Sequence, residues 1–193
     1  MTLRVSFELA DRDLSHFRTI MREARDAAVN LSQEEILQAA HGLLESVKGV
    51  ELPDFVGGRL SKIQIMIDMI EDSEWQLPEK ETARVLNALA YFCEPHDLIP
   101  DHIPGLGFLD DAIMVELVCR ELRHDMDAYV DFCEYRDGEG SRRKKAGLSL
   151  DISTDDWLAA RRRELHSRMR NRRRRERSGR RRRGGGRSPF SLF

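Results

Sequence analysis

The chain divides near Arg161 into two segments of opposite charge. From Arg161 to Phe193 there are 15 arginines, no lysine and 2 glutamates, a balance of +13. The first 160 residues hold 17 basic and 32 acidic groups, a balance of −15. The net charge of −2 is therefore the sum of two opposed objects. A hydrophobic fraction of 40% in 193 residues is enough for one core of ordinary size plus an appendage. The split predicts a compact acidic body and a flexible, Arg-rich tail.

Apolar periodicity predicts helices through the body. A first helix is expected from about Leu14 to Val29. Ser32-Gln33-Glu34-Glu35 has the pattern of a capping box and starts a second. Gly49 and Pro53 punctuate the boundary before a third, which carries Leu60, Ile63, Ile67 and Ile70. Pro78 opens a fourth, with Val85, Leu86, Leu89 and Phe92 inward. A long fifth is expected from about Asp111 to Tyr135. Leu3, Val5, Phe7 and Leu9 alternate and predict an extended N-terminal arm. The fold class is thus all-α: a compact bundle of about five helices, an extended arm and a basic, partly disordered C-terminal tail. The expected organisation is an acidic helical body over 1–136, a linker over 137–153, and an Arg-rich helix and tail over 154–193. The last helix starts near Thr154, with Asp155 and Asp156 in its first turn. Its thin apolar stripe, Trp157, Leu158, Leu165 and Met169, either packs on the body or docks on a partner.

Cys93, Cys119 and Cys133 form no CxxC pair, which predicts reduced thiols and a cytoplasmic setting. On one helix, Cys119 and Cys133 would stand roughly 21 Å apart, too far to bridge. The N-terminus has no apolar signal core, and no apolar run approaches a membrane span. The motifs of nucleotide-binding loops, nucleophile elbows and metalloproteases are absent from the sequence.

The segment Tyr91 to Asp111 reads YFCEPHDLIPDHIPGLGFLDD. Tyr91, Pro95, Asp97, Leu98, Ile99, Pro100, Asp101, Ile103, Pro104, Leu106, Gly107, Leu109, Asp110 and Asp111 resemble the signature of the YkvA-like family, a bacterial domain of unknown function. The resemblance covers roughly residues 80–125 and implies a helical hairpin around a Pro-rich loop. It implies no activity. Many relatives look membrane-associated, but this chain lacks their apolar spanning helix. Physically the segment is a rigid turn, since its prolines fix φ and Gly105 and Gly107 permit positive φ. Asp97 and Asp101 are expected to form side-chain turns, and Asp110 or Asp111 to cap the fifth helix. The competing reading is an oxygen-ligand site for Mg²⁺ or Ca²⁺ built from Asp97, Asp101, Asp110 and Asp111. Cys93, His96 and His102 offer three zinc donors without an evident fourth.

The tail uses arginine alone. Guanidinium pairs bidentately with phosphate and stacks on bases, where an ammonium offers a point charge. Repulsion among so many cations predicts disorder beyond about Arg170 without a polyanion. The expected contacts are Arg161, Arg162, Arg163, Arg168, Arg170, Arg172, Arg173, Arg174, Arg175, Arg177, Arg180, Arg181, Arg182, Arg183 and Arg187. Four roles are open: binding RNA or DNA, attraction to an anionic membrane surface with Phe190, Leu192 and Phe193 inserting, folding onto an acidic body in the same or a second copy, and a solubility element without a partner. The leading expectation is a non-catalytic accessory or adaptor protein, its body meeting a protein partner and its tail tethering it to nucleic acid. A membrane-peripheral adaptor is the alternative, and a divalent-metal-dependent activity at the aspartates the second alternative.

Overall fold

The computed structural model describes residues 8–93, 99, 103, 107–146 and 154–182. Six α-helices are present among them: α1 (Asp11–Ala27), α2 (Gln33–Ser46), α3 (Asp54–Glu71), α4 (Glu79–Leu89), α5 (Leu109–Lys145) and α6 (Thr154–Arg182). The all-α class expected from periodicity holds, and no strand occurs among the described residues. The arm at residues 3–9 lies almost wholly outside them. So do Pro95, Asp97, Pro100, Asp101 and Pro104 of the Pro-rich loop, with His96 and His102.

The local chemistry explains the helix starts. Ser32 Oγ accepts the Glu35 amide at 3.2 Å, and Glu35 Oε2 accepts the Ser32 amide at 2.7 Å. That reciprocal cap begins α2, and the Ser32 amide holds the Glu35 carboxyl below its ordinary range. Pro53 and Pro78 sit at the N-caps of α3 and α4, where neither needs an amide.

One core joins the elements. Val56, Leu60, Ile63, Met66 and Ile67 of α3 are buried with Met114, Leu117, Val118 and Leu122 of α5. α1 contributes Met21 and Ala24, α2 contributes Ile36, Leu37 and Ala40, and α4 contributes Val85, Ala88 and Leu89. After α3 the chain turns on Asp72, whose Oδ1 accepts the amides of Glu74 and Trp75 at 2.9 and 3.1 Å. Its Oδ2 accepts from Arg136 Nη1 at 2.8 Å and Tyr129 OH at 3.2 Å. Burial opposes its charge, but these donors hold the Asp72 carboxyl below its usual range. The turn thereby delivers Trp75, fully buried, between α5 and α6.

Two boundaries depart from the sequence reading. The fifth helix was expected to end at Tyr135 and a linker to begin at Asp137, yet α5 continues to Lys145. Gly138 and Gly140 each weaken a helix by about 1 kcal/mol relative to alanine. Against that, Arg142 pairs with Glu139 at 2.8 Å, and Arg142, Arg143, Lys144 and Lys145 complement the carbonyl end of the helix. The N-cap of α5 is Phe108, in the left-handed region at φ 62°, so Asp110 and Asp111 lie in the first turn rather than at the cap. The residue with positive φ at this cap is therefore a buried phenylalanine, held there by its packing.

Candidate polyanion interface on α6

α6 runs antiparallel to α5, and its contacts fix the register. Arg161 stacks over the Tyr135 ring at 5.2 Å, Arg173 meets Asp125, and Glu176 meets His124 at 2.9 Å. Of the apolar stripe expected from the sequence, Leu158, Leu165 and Met169 are buried in the common core, while the Trp157 side chain lies outside the described ones. His166 lies edge-on to Trp75 at 4.3 Å between ring centroids. Burial, with Arg170 and Arg162 nearby, lowers its pKa to about 4.

Beyond Met169 the contact surface changes from apolar to ionic. Arg173 Nη2 donates to Asp125 Oδ1 at 2.7 Å, and its Nη1 stands 3.7 Å from Glu81 Oε1. Arg84 of α4 reaches the same Asp125 carboxylate at 3.3 Å and Glu121 at 3.7 Å. Asp125 is 1% exposed, so these charges form a buried network joining α4, α5 and α6. Burial pushes the Asp125 carboxyl above its ordinary range, while Arg84 and Arg173 pull it back. Helix α6 runs past Arg170 to Arg182 because its inner face meets carboxylates of the body, which offset part of the repulsion along it.

The sequence-predicted arginines therefore fall into separate groups. Arg162 Nη1 donates to the Glu74 carbonyl at 2.7 Å, and Arg161 pairs with Glu164 at 2.8 Å. Together with Arg173 they face the body. At about 100° per residue, Arg168, Arg172 and Arg175 share one outer flank, and Arg163, Arg170 and Arg174 the other. All six are exposed. Arg168 pairs with Glu164 at 2.8 Å, and with Arg172 and Arg175 it lines a shallow hollow of about 520 Å³ that also includes Ser167 and Asn171. Arg177, Arg180, Arg181 and Arg182 continue the helix, and Arg183 and Arg187 lie outside the described residues.

Across the other flank, Arg170, Arg173 and Arg174 face Lys80, Glu81 and Arg84 of α4 over a cleft of about 290 Å³. The tail's charge alone did not single out Lys80, Glu81, Arg84 or Asp125. A signal was present, since Glu81 and Arg84 fall on the same helical stripe as Val85 and Ala88, and Asp125 on that of Leu122, Tyr129 and Phe132.

Of the aspartates proposed as metal ligands, Asp110 and Asp111 are buried, 2% and 5% exposed. Asp110 Oδ2 accepts the Ile99 amide at 3.1 Å, tying the Pro-rich loop to α5. Asp97 and Asp101 lie outside the described residues, as do His96 and His102 of the zinc reading. Among the described residues no cluster of three His, Cys, Asp or Glu side chains could hold a metal ion. Cys93, Cys119 and Cys133 are free and half-buried, and burial pushes the Cys119 thiol up to about 12. No helix among the described residues is long and apolar enough to cross a membrane.

Residues 83–117 match the model of a family described as a protein of unknown function (DUF1232). The match runs from within α4 through the Pro-rich loop into α5, and it is consistent with the YkvA-like resemblance. No curated protein and no solved structure matches the chain.

Proposed function

We propose that the protein is a non-catalytic adaptor whose α6 holds RNA or DNA through its outer arginines while its inner face keeps that helix on a YkvA-like body. The observation that carries this reading is the division of labour on α6. Arg173 is held by buried carboxylates, whereas Arg170, Arg172, Arg174 and Arg175 are exposed and have no ion-pair partner among the described residues. A helix already formed loses less conformational entropy on meeting a phosphate backbone than a disordered arginine tract does. Phosphate contacts made this way carry little sequence information, so binding is broad and salt-sensitive.

Ending the chain at Ala160 would also remove Leu165 and Met169 from the core, so it confounds binding with folding. The test is instead Arg168→Gln, Arg172→Gln and Arg175→Gln together, in the full chain. Binding of a fluorescent single-stranded RNA is followed as salt rises. Loss of three phosphate contacts should reduce the slope of log K against log salt by about 2. An unchanged slope sinks the reading. So does tighter binding to phosphatidylglycerol vesicles than to RNA at equal salt, which would favour a lipid surface as the partner.

A further inference from the structure

We propose that the cleft between α4 and α6 is a seat for a phosphomonoester dianion, the terminal phosphate of a nucleic-acid strand. Its walls carry Lys80 and Arg84 from α4, and Arg170, Arg173 and Arg174 from α6. One carboxylate, Glu81, shares the lining and is largely buried beside Arg173. Two more, Asp125 and Glu121, brace the floor through Arg84 and Arg173. Among the described residues, five cations against three carboxylates leave a surplus of two positive charges, and the surplus sits at the mouth. There Lys80, Arg170 and Arg174 are exposed, with no carboxylate in ion-pair range among the described residues. Arg170 and Arg174 stand one helical turn apart, a like-charge pair that weakens a free helix. A phosphodiester carries one negative charge and leaves this surplus half-met. A phosphomonoester carries nearly two at neutral pH and three acceptor oxygens, which the guanidinium forks at the mouth can share. The floor is preorganised, because Asp125 already fixes both Arg84 and Arg173.

The proposal deepens the nucleic-acid reading and rests on it for the bearer of the phosphate, while the seat itself can be tested with inorganic phosphate. Three full-length proteins are compared: the unaltered chain, the mouth variant Lys80→Gln/Arg170→Gln/Arg174→Gln, and the opposite-flank variant Arg168→Gln/Arg172→Gln/Arg175→Gln. Each is titrated with the same RNA oligonucleotide bearing either a 5′-phosphate or a 5′-hydroxyl, and its melting temperature is read with and without inorganic phosphate. The unaltered chain should prefer the 5′-phosphate by roughly fivefold. The mouth variant should lose that ratio, and the opposite-flank variant should keep it while binding both RNAs more weakly. Equal binding of the two RNAs, with no melting shift from inorganic phosphate, overturns the seat and leaves the α6 reading intact. A ratio lost only in the opposite-flank variant also overturns it. If inorganic phosphate raises the melting temperature through Lys80, Arg170 and Arg174 but neither RNA binds, the seat stands and the nucleic-acid reading falls.

Discussion

α3 and α6 both lie along α5, and they hold it by different means. α3 brings Val56, Leu60, Ile63, Met66 and Ile67 to the shared core, all nearly or fully buried. α6 brings Leu158, Leu165 and Met169, and then continues the same stripe with Arg173 and Glu176. The first interface rests mainly on apolar area, which moderate salt barely alters, with one partly exposed pair at its edge, Arg59 Nε to Glu116 Oε2 at 3.1 Å. The second is apolar at one end and ionic at the other, so its outer half responds to screening and to competing anions. On the proposed polyanion reading, α6 is thus anchored by apolar contacts at its buried end and by charge at the end a polyanion would reach.

The largest expected effect tests the ionic half. Asp125→Ala leaves Arg84 and Arg173 buried without their shared carboxylate, a change that costs about 3–5 kcal/mol. Thermal and urea melts should show it, and hydrogen exchange should place the greatest added exposure in α6 after Met169. A loss below 1 kcal/mol would mean that water already reaches this network, and the contrast with α3 would collapse. Next comes the apolar half. Met66→Ala should cost about 2–5 kcal/mol by leaving a cavity. That loss should be the same at low and high salt, whereas the Asp125→Ala loss should shrink as salt screens the stranded arginines. Equal salt dependence for the two variants would break the comparison.

The ease of reading the two regions from sequence follows the same division. The apolar period of α3, its opening at Pro53 and the capping box of α2 were legible because local chemistry and burial agree there. The extension of α5 through Gly138 and Gly140 was not, since its support comes from the Arg142 pair and the basic last turn rather than from apolar spacing. The reach of α6 was hidden for a related reason. Counting arginines treats them as one repelling set, but Arg173 belongs to Asp125, a carboxylate 48 positions away in sequence. Glu81, Arg84 and Asp125 could have been suspected as charges set within apolar stripes, although which arginine they would meet is decided by tertiary packing.

A smaller effect concerns His166, at the apolar end of the α6 interface. Its folded pKa is lowered to about 4, first by burial and then by Arg170 and Arg162, against an ordinary value of 6.5. The unfolded chain therefore takes up a proton near pH 6.5, while the folded chain resists it until about pH 4. Stability from this group is complete above pH 6.5 and declines as pH falls towards 4, by about 3 kcal/mol at most. His166→Phe should flatten that part of the pH profile. A profile with the same slope in both proteins would assign the acid sensitivity to other groups.

The smallest effect is the most telling for function. Replacing Arg168, Arg172 and Arg175 by glutamine removes one exposed pair with Glu164 and relieves the like-charge spacing of Arg168 with Arg172 and of Arg172 with Arg175. Exposed pairs and i,i+3 or i,i+4 repulsions are each worth about 0.2–0.5 kcal/mol, with opposite signs here. The melting midpoint should therefore stay level or rise slightly. That outcome would fit the proposal that these arginines serve a partner outside the chain rather than the fold. A loss above about 1 kcal/mol would exceed what such exposed groups contribute. It would place this flank among the contacts that hold α6 on the body, and the polyanion reading would then have to rest on Arg163, Arg170 and Arg174 and on the arginines from Arg177 onward.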